Sequence, residues 1–568
     1  MKKLKQIGTK LLGTVLVLGV CQANPVITLA NSVTKTVSQQ YVDDMNPGWN
    51  LGNTFDSFDT GGDKGEESWG NPVVTKELIK KIKSEGFNSI RIPFTSVMRT
   101  GEAPEYTIDK KFLDRYAEVV NWALEEDLYV MINLHHDSWN WAGAIGADWD
   151  NGASMERYKA IWTQLANYFK DYSNKVCFES MNEPQFWSGD TQMQLNINDQ
   201  VNESFYKIVR ESGGNNKTRM LVLPTLNTND SQDRCDALYK SIKALDDENI
   251  IATFHYYGYW PFSVNIAGQT NFDDKVMSEL QNAFDRIYTT FTQNGIGVVC
   301  GEYGLLGFDT SLDAIEHGEI LKYFEYINYY AKEKKMTLML WDNGQHLNRH
   351  TYNWGDPSLY RIIKTSQVTR SAYSQSDRIF VNKKTKGKNV KLNLTLNGHA
   401  LKGIYDENRA LVQDKDYSYD NGVITLYGAY IAKNLNKNYG INQTLTLKYN
   451  EGEDWKVYLT YYDVPTLEKA EGTTAAFTFP VDYKGSRVAT LEAIYADGTS
   501  AGPQNWTTFK EFAYTFAPHY EENTMVIKDK LFEETKDGKI TLKIHLQSGE
   551  ILRYKLIKSG DSVIGLPA

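Results

Sequence analysis

The sequence predicts an α/β chain, a (β/α)8 TIM barrel over residues 41–378 followed by two small β-sandwich modules. Three observations carry this. Short apolar runs of β-type residues recur eight times between residues 41 and 375, and amphipathic helical segments lie between them. After about residue 380 the pattern changes to alternating strands joined by tight turns. Apolar runs that alternate with helices imply a parallel sheet buried on both faces, and eight such units in one region fit a closed barrel with enlarged loops.

In chain order, the runs begin with Gly48-Trp49-Asn50-Leu51-Gly52 and continue with Ile90–Phe94, Tyr129–Leu134 and Val176–Met181. Met220–Leu223, Ile250–Phe254, Val298–Gly301 and Thr337–Trp341 complete the set. Between them, Phe112, Leu113, Tyr116, Val119, Val120, Ala123 and Leu124 repeat at helical spacing behind a cap at Asp109. Thr75–Ser84 is a second helix, stopped by Gly86. An open doubly wound sheet is the competing fold, but no Gly-x-Gly-x-x-Gly follows the first run.

Beyond the barrel, Lys383, Lys384, Lys386, Gly387 and Lys388 read as a polar linker. Asn450-Glu451-Gly452, Asp497-Gly498, Asp537-Gly538 and Ser548-Gly549 are hairpin signals. Ile540, Leu542, Ile544 and Leu546 alternate with polar residues, as in a half-buried strand. A break near Pro465–Thr474 divides the region into modules at 381–465 and 466–568.

Residues 1–30 contain Lys2, Lys3, Lys5 and Lys10, no acid, and an apolar run Leu11–Val20 before small residues. This is the pattern of a secretory signal peptide, and the run is too short to span a bilayer, which takes about 20 residues. The expected location is extracellular, with no membrane attachment after signal removal. Cys177, Cys235 and Cys300 allow at most one disulfide and read as buried thiols. The net charge of −10 argues against a nucleic-acid partner. The 13 Trp, 36 Tyr and 23 Phe suggest surfaces that grip flat, apolar-faced ligands.

In a parallel barrel, reactive groups sit at the C-terminal ends of strands. Here those ends carry Arg91, Asn133-Leu134-His135-His136-Asp137, Asn182-Glu183-Pro184, His255-Tyr256-Tyr257, Gly301-Glu302-Tyr303 and Trp341-Asp342-Asn343-Gly344. Two carboxylates, Glu183 and Glu302, come together only if the barrel closes. Paired carboxylates beside aromatic platforms suit glycoside hydrolysis, in which one protonates the leaving oxygen and the other attacks the anomeric carbon or activates water. Retention requires the carboxyl groups about 5–5.5 Å apart. Each Glu alone could equally cap a following helix; the joint pattern carries the reading. His135, His136, Asp137 and His255 could instead form a metal cluster, but the His-x-His pattern is missing and adjacent strand residues face opposite ways. No metal and no organic cofactor is expected.

These motifs resemble the barrel glycosidases with acid and nucleophile on strands four and seven. With Gly48–Asp56, Arg91-Ile92-Pro93 and His135-His136-Asp137, they resemble glycoside hydrolase family 5, and most closely its subfamily 4. The resemblance implies a secreted, monomeric, retaining endo-β-1,4-glucanase acting on cellulose, xyloglucan or mixed-linkage glucan. It implies Glu183 as general acid/base, with a raised pKa, and Glu302 as nucleophile. Tyr257 and Arg91 would support Glu302, Asn182 would bind the sugar 2-hydroxyl, and His135 and His255 would bond sugar and carboxylates. Trp341 would be the sugar platform, with His136, Asn53 and Trp139 as further contacts. A lichenase or mannanase of the same family is the alternative. A glucan-binding barrel without activity and a metal-dependent amidohydrolase are rivals of other classes.

Residues 381–465 resemble immunoglobulin-like X2 modules through Leu394-Thr395-Leu396-Asn397-Gly398, Lys415-Asp416-Tyr417 and Val423–Leu426. Residues 466–568 resemble family 46 carbohydrate-binding modules and are expected to extend the cleft. Eleven Trp precede residue 370, leaving Trp455 and Trp506 as outliers. Trp506 lies in the loop Gly502-Pro503-Gln504-Asn505-Trp506, where sugar stacking and core packing are about equally expected.

Overall fold

A computed structural model describes residues 35–436 and 438–568, so the expected signal segment 1–30 lies outside the described residues. Eight parallel strands close a barrel in sequence order. They are β1 (Gly48–Asn50), β2 (Ser89–Phe94), β3 (Tyr129–Leu134), β4 (Val176–Glu179), β5 (Leu221–Pro224), β6 (Ile250–Tyr256), β7 (Gly297–Tyr303) and β8 (Thr337–Leu340). The expected helices form with the expected caps: Thr75 accepts from Leu78 N, and Asp109 from Phe112 N.

The strand interior is layered. Met131, Cys177, Val222, Ile251, Val299 and Met339 form one apolar cluster with Val42 and Met45 of the N-terminal helix α1 (Val37–Met45), which closes the lower end. Two residues further along the strands, on the same face, Met131 gives way to Asn133 and Cys177 to Glu179. The barrel is thus apolar at its base and polar where the strands emerge. Near that rim the β6–β7 register shifts between Phe254 and His255, and the β7–β8 register between Cys300 and Tyr303. Such bulges re-aim side chains. Here they bring Glu302 opposite His255.

The first β module is a sandwich of a five-stranded and a four-stranded sheet. It starts before the expected boundary at 381. Tyr373–Ser374 pairs with Val390–Thr395, and Arg378–Val381 pairs with Trp455–Tyr461. The Lys-rich stretch 383–388 is therefore not a linker but a turn between two strands of one module. Its charge suits a solvated turn as well as a linker, which is why composition misplaced it. Trp455 is 2% exposed and packs on Tyr373, so it is a core residue.

The last module is a single ten-stranded sheet in place of two separate ones. It curls so that Phe477, Phe479, Leu491, Ile544, Tyr554 and Leu556 share one core. Barrel residue Ala314 joins this core, and Asn265 of the barrel donates to Ala489 O at 2.9 Å. The module thereby docks on the loops after β6 and β7, at the polar end of the barrel. Cys177, Cys235 and Cys300 are buried free thiols. No helix of the described residues is long and apolar enough to cross a membrane.

Candidate active site

Arg91 organises the site from the barrel interior. It is fully buried, and its guanidinium donates to four side chains. Nε bonds Glu179 Oε2 at 2.7 Å, Nη1 bonds Asn50 Oδ1 at 3.1 Å and Glu302 Oε1 at 2.7 Å, and Nη2 bonds Asn182 Oδ1 at 2.7 Å. Burial disfavours its charge, but Glu179 and Glu302 outweigh that and push its pKa above the ordinary value. Removing one member of such a buried network strands a charge, typically costing about 3–5 kcal/mol. Glu179 escaped the sequence reading, although a carboxylate ending an apolar strand was the available signal.

Glu302 is 5% exposed. Its second oxygen accepts from Tyr257 Oη at 2.6 Å and lies 3.6 Å from His255 Nδ1. His135 Nε2 is 3.8 Å from its first oxygen. Burial, then the charges of His136, Arg91 and His255, hold His135 well below the ordinary imidazole pKa, so it stays neutral near pH 7.

Glu183 shares His255 with Glu302 but differs in backbone conformation and exposure. It follows β4 with its backbone in the left-handed region (φ 40°), which a non-glycine residue adopts at an energetic cost. Its side chain stands on the open wall, 42% exposed, and Oε1 lies 2.9 Å from His255 Nδ1. One oxygen of Glu183 lies within 4.8 Å of one of Glu302. The expected raised pKa is not found. Burial pushes the Glu183 carboxyl up, but the His255 hydrogen bond and the charges of His255, Arg91 and His136 outweigh it and pull the carboxyl down. His255 moves the other way. Burial lowers its pKa, but Glu302 and Glu183 raise it further. The two shifts oppose one another: Glu183 gives up its proton more readily than an ordinary carboxyl, and His255 holds one more tightly than an ordinary imidazole.

Trp341 stacks on His135 with ring centroids 5.6 Å apart at 5°. Gly52 lies beneath it, where a Cβ would come within 2.9 Å of the indole. Buried Asp342 accepts from Trp49 Nε1 and from the backbone of Gly344, His346 and Leu347, fixing the loop that presents Trp341. Asp56 plays the matching part after β1. It accepts from the backbone of Asn53 and Thr54 and lies 3.2 Å from His136 Nε2. Asn53, like Glu183, has a positive φ of 53°. Trp139 donates to His136 Nδ1 at 2.8 Å and is 43% exposed.

His135 and His136 do not face opposite ways as strand neighbours would, because β3 ends at Leu134 and the chain turns there. Their rings lie 4.4 Å apart. With Asp56 they form one group of potential ligands, and Glu183, His255 and Glu302 form another. In the second group both oxygens of Glu302 already accept, from Arg91 and Tyr257.

Trp506 stands apart from this constellation in sequence and in fold. It is 59% exposed, with its ring centroid 6.0 Å from that of Trp260. Trp260 was missed by sequence reading, although the aromatic run Tyr256-Tyr257-Gly258-Tyr259-Trp260 marked the place. Trp149 and Trp187 also stack, 6.3 Å apart at 14°, and both are exposed.

A parallel barrel whose rim joins two carboxylates with opposite surroundings, beside an indole platform, has the architecture of a glycoside hydrolase. The family model Cellulase (glycosyl hydrolase family 5) matches residues 51–347, and the chain belongs to that family. Carbohydrate binding domain X2 matches residues 373–459, and the carbohydrate binding domain of family 46 matches 463–566. Endoglucanase B of Paenibacillus lautus is 46% identical over 532 residues, covering 93% of each chain. The full-length tri-modular endo-β-1,4-glucanase B of Bacillus halodurans superposes with a TM-score of 0.91 at 45% identity, covering 94% of this chain and all of that one. A tri-modular subfamily 4 endo-β-1,4-glucanase from Bacillus licheniformis superposes with a TM-score of 0.78 at 28% identity, covering 93% and 99%.

Proposed function

We propose that the chain is a secreted endo-β-1,4-glucanase that hydrolyses β-glucan with retention, Glu302 acting as nucleophile and Glu183 as acid/base. The separation of the two carboxylates carries the reading. A closest approach within 4.8 Å suits the spacing of retaining enzymes, about 5–5.5 Å, and not the 6.5–9.5 Å that inversion needs for its water. The endoglucanases among its relatives support the substrate class.

In the first step Glu302 attacks the anomeric carbon as the glycosidic bond breaks, and Glu183 gives its proton to the departing oxygen. Glu183 receives that proton from His255 through the 2.9 Å contact as substrate binds. In the second step Glu183 takes a proton from water, which attacks the same carbon and releases Glu302. Arg91 and Tyr257 hold Glu302 at both oxygens and aim it, Asn182 faces the 2-hydroxyl, and Trp341 carries the sugar face. Asn53, His136 and Trp139 line the neighbouring wall, and Trp506 extends the glucan path onto the last module.

Reducing-sugar release from xyloglucan, barley β-glucan, carboxymethylcellulose, mannan and xylan tests the assignment. The expected result is cleavage of one or more β-1,4-linked glucans and its loss in Glu302→Gln. Activity confined to mannan or xylan, or surviving in Glu302→Gln, would overturn it.

A further inference from the structure

The loop that carries Trp506 is held from below by a buried ammonium. Lys510 is fully buried and forms, with Phe509, a two-residue strand paired to Leu491 and Glu492. Neighbouring strand residues face opposite ways. Phe509 lies against Gly268 of the barrel, where a Cβ would come within 3.1 Å of the ring. Lys510 turns under the loop. Its Nζ donates to Pro503 O at 2.6 Å, to Ser500 Oγ at 2.9 Å and to Thr507 O at 3.4 Å. Ser500 Oγ also donates to Thr507 O at 2.6 Å, tying the two ends of the loop together.

The arrangement is costly. No carboxylate is bonded to this ammonium among the described residues, and a buried cation without a counter-ion is unfavourable. Glu534 is the acid whose charge favours it. Of the other acids nearby, Glu511 accepts from Gln504 and Glu492 from Thr508. An apolar side chain would fill the same space without that penalty, so the bonds to the loop are what the ammonium contributes. Of residues 501–507 only Asn505 and Trp506 are exposed.

We propose that Lys510 is a positioning residue, pinning the 500–507 loop so that Trp506 stays beside Trp260 across the seam between barrel and last module. This rests on the reading of Trp506 as a glucan contact.

Burial pulls the Lys510 pKa down to about 8, so the pin weakens as pH rises through that value. Global stability moves the other way. The folded chain holds this proton less tightly than the unfolded chain, so the contribution of Lys510 to stability rises between about 8 and its ordinary 10.5. Unfolding therefore does not mimic the effect.

The test uses the full-length chain and compares KM on barley β-glucan with KM on cellotetraose for wild type, Lys510→Met and Trp506→Ala. Lys510→Met is expected to raise the polymer-to-tetraose KM ratio roughly three- to tenfold, the size of one lost aromatic contact, and so to match Trp506→Ala. A Lys510→Met ratio equal to wild type, with Trp506→Ala impaired, overturns the proposal alone. An unchanged Trp506→Ala overturns the underlying reading and the proposal with it. Should Lys510→Met not fold, wild type decides: the ratio rises between about pH 7 and 9 if the pin titrates, and a flat ratio overturns it.

Discussion

The hydroxyl of Tyr257 donates to Oε2 of Glu302 at 2.6 Å, and Arg91 occupies the other oxygen at 2.7 Å. The nucleophile proposed here is thus held at both oxygens before substrate arrives. Burial and the Glu302 charge keep the Tyr257 phenol well above its ordinary pKa, so it remains a donor. Tyr257→Phe keeps the ring and removes that donor. We expect kcat/KM to fall roughly 10²–10³-fold, as when one preorganised donor to a charged group is lost. Steady-state kinetics on a soluble glucan measure it; a change under threefold would mean the bond contributes little to catalysis.

The pH dependence follows from His255, whose pKa is raised although burial opposes it. A raised histidine contributes stability that is fully present below its unfolded value, near 6.5, and is lost as pH rises through the higher folded value. Unfolding free energy should therefore decline upward from about pH 6.5. His255→Asn should flatten that part of the curve. Denaturant titrations across pH 5–8.5 in about half-unit steps give the answer, and an unchanged slope in the variant would contradict the assignment.

Asp377 makes a separate prediction at the module junction. It is 4% exposed and lines a cavity of about 260 Å³ with Glu316 and Arg378. Burial and the charge of Glu316 push it up to about 8, with Arg378 opposing. Between its ordinary 3.8 and about 8, the folded chain keeps a proton that the unfolded chain releases. The stability this gives is full below 3.8 and is lost as pH rises through the folded value. Asp377→Asn keeps the shape without the titration and should stabilise the protein by on the order of 1–3 kcal/mol at pH 7, and by less at pH 5. Equal gains at both pH values would argue against a protonated Asp377.

The barrel was legible in the sequence because buried parallel strands are continuous apolar runs, and all eight fall where those runs predict. Glu183 and Glu302 were legible as carboxylates at strand ends. Other features depend on three dimensions. Glu302 meets His255 only through register shifts that leave no mark in composition. Glu179 reads as a strand residue until Arg91 is seen beside it. Trp260 and Trp506 become neighbours only when the last module docks. The direction of the Glu183 pKa depends on a histidine from another strand, which the acid/base role implied for Glu183 does not reveal.

Retention at the anomeric centre is the central claim, and proton NMR of the first-formed product measures it directly. Cello-oligosaccharide hydrolysed in deuterated buffer should release the β-anomer first, with the α-anomer appearing only by later mutarotation. Initial release of the α-anomer would mean inversion, and would contradict the assignment of Glu302 as nucleophile.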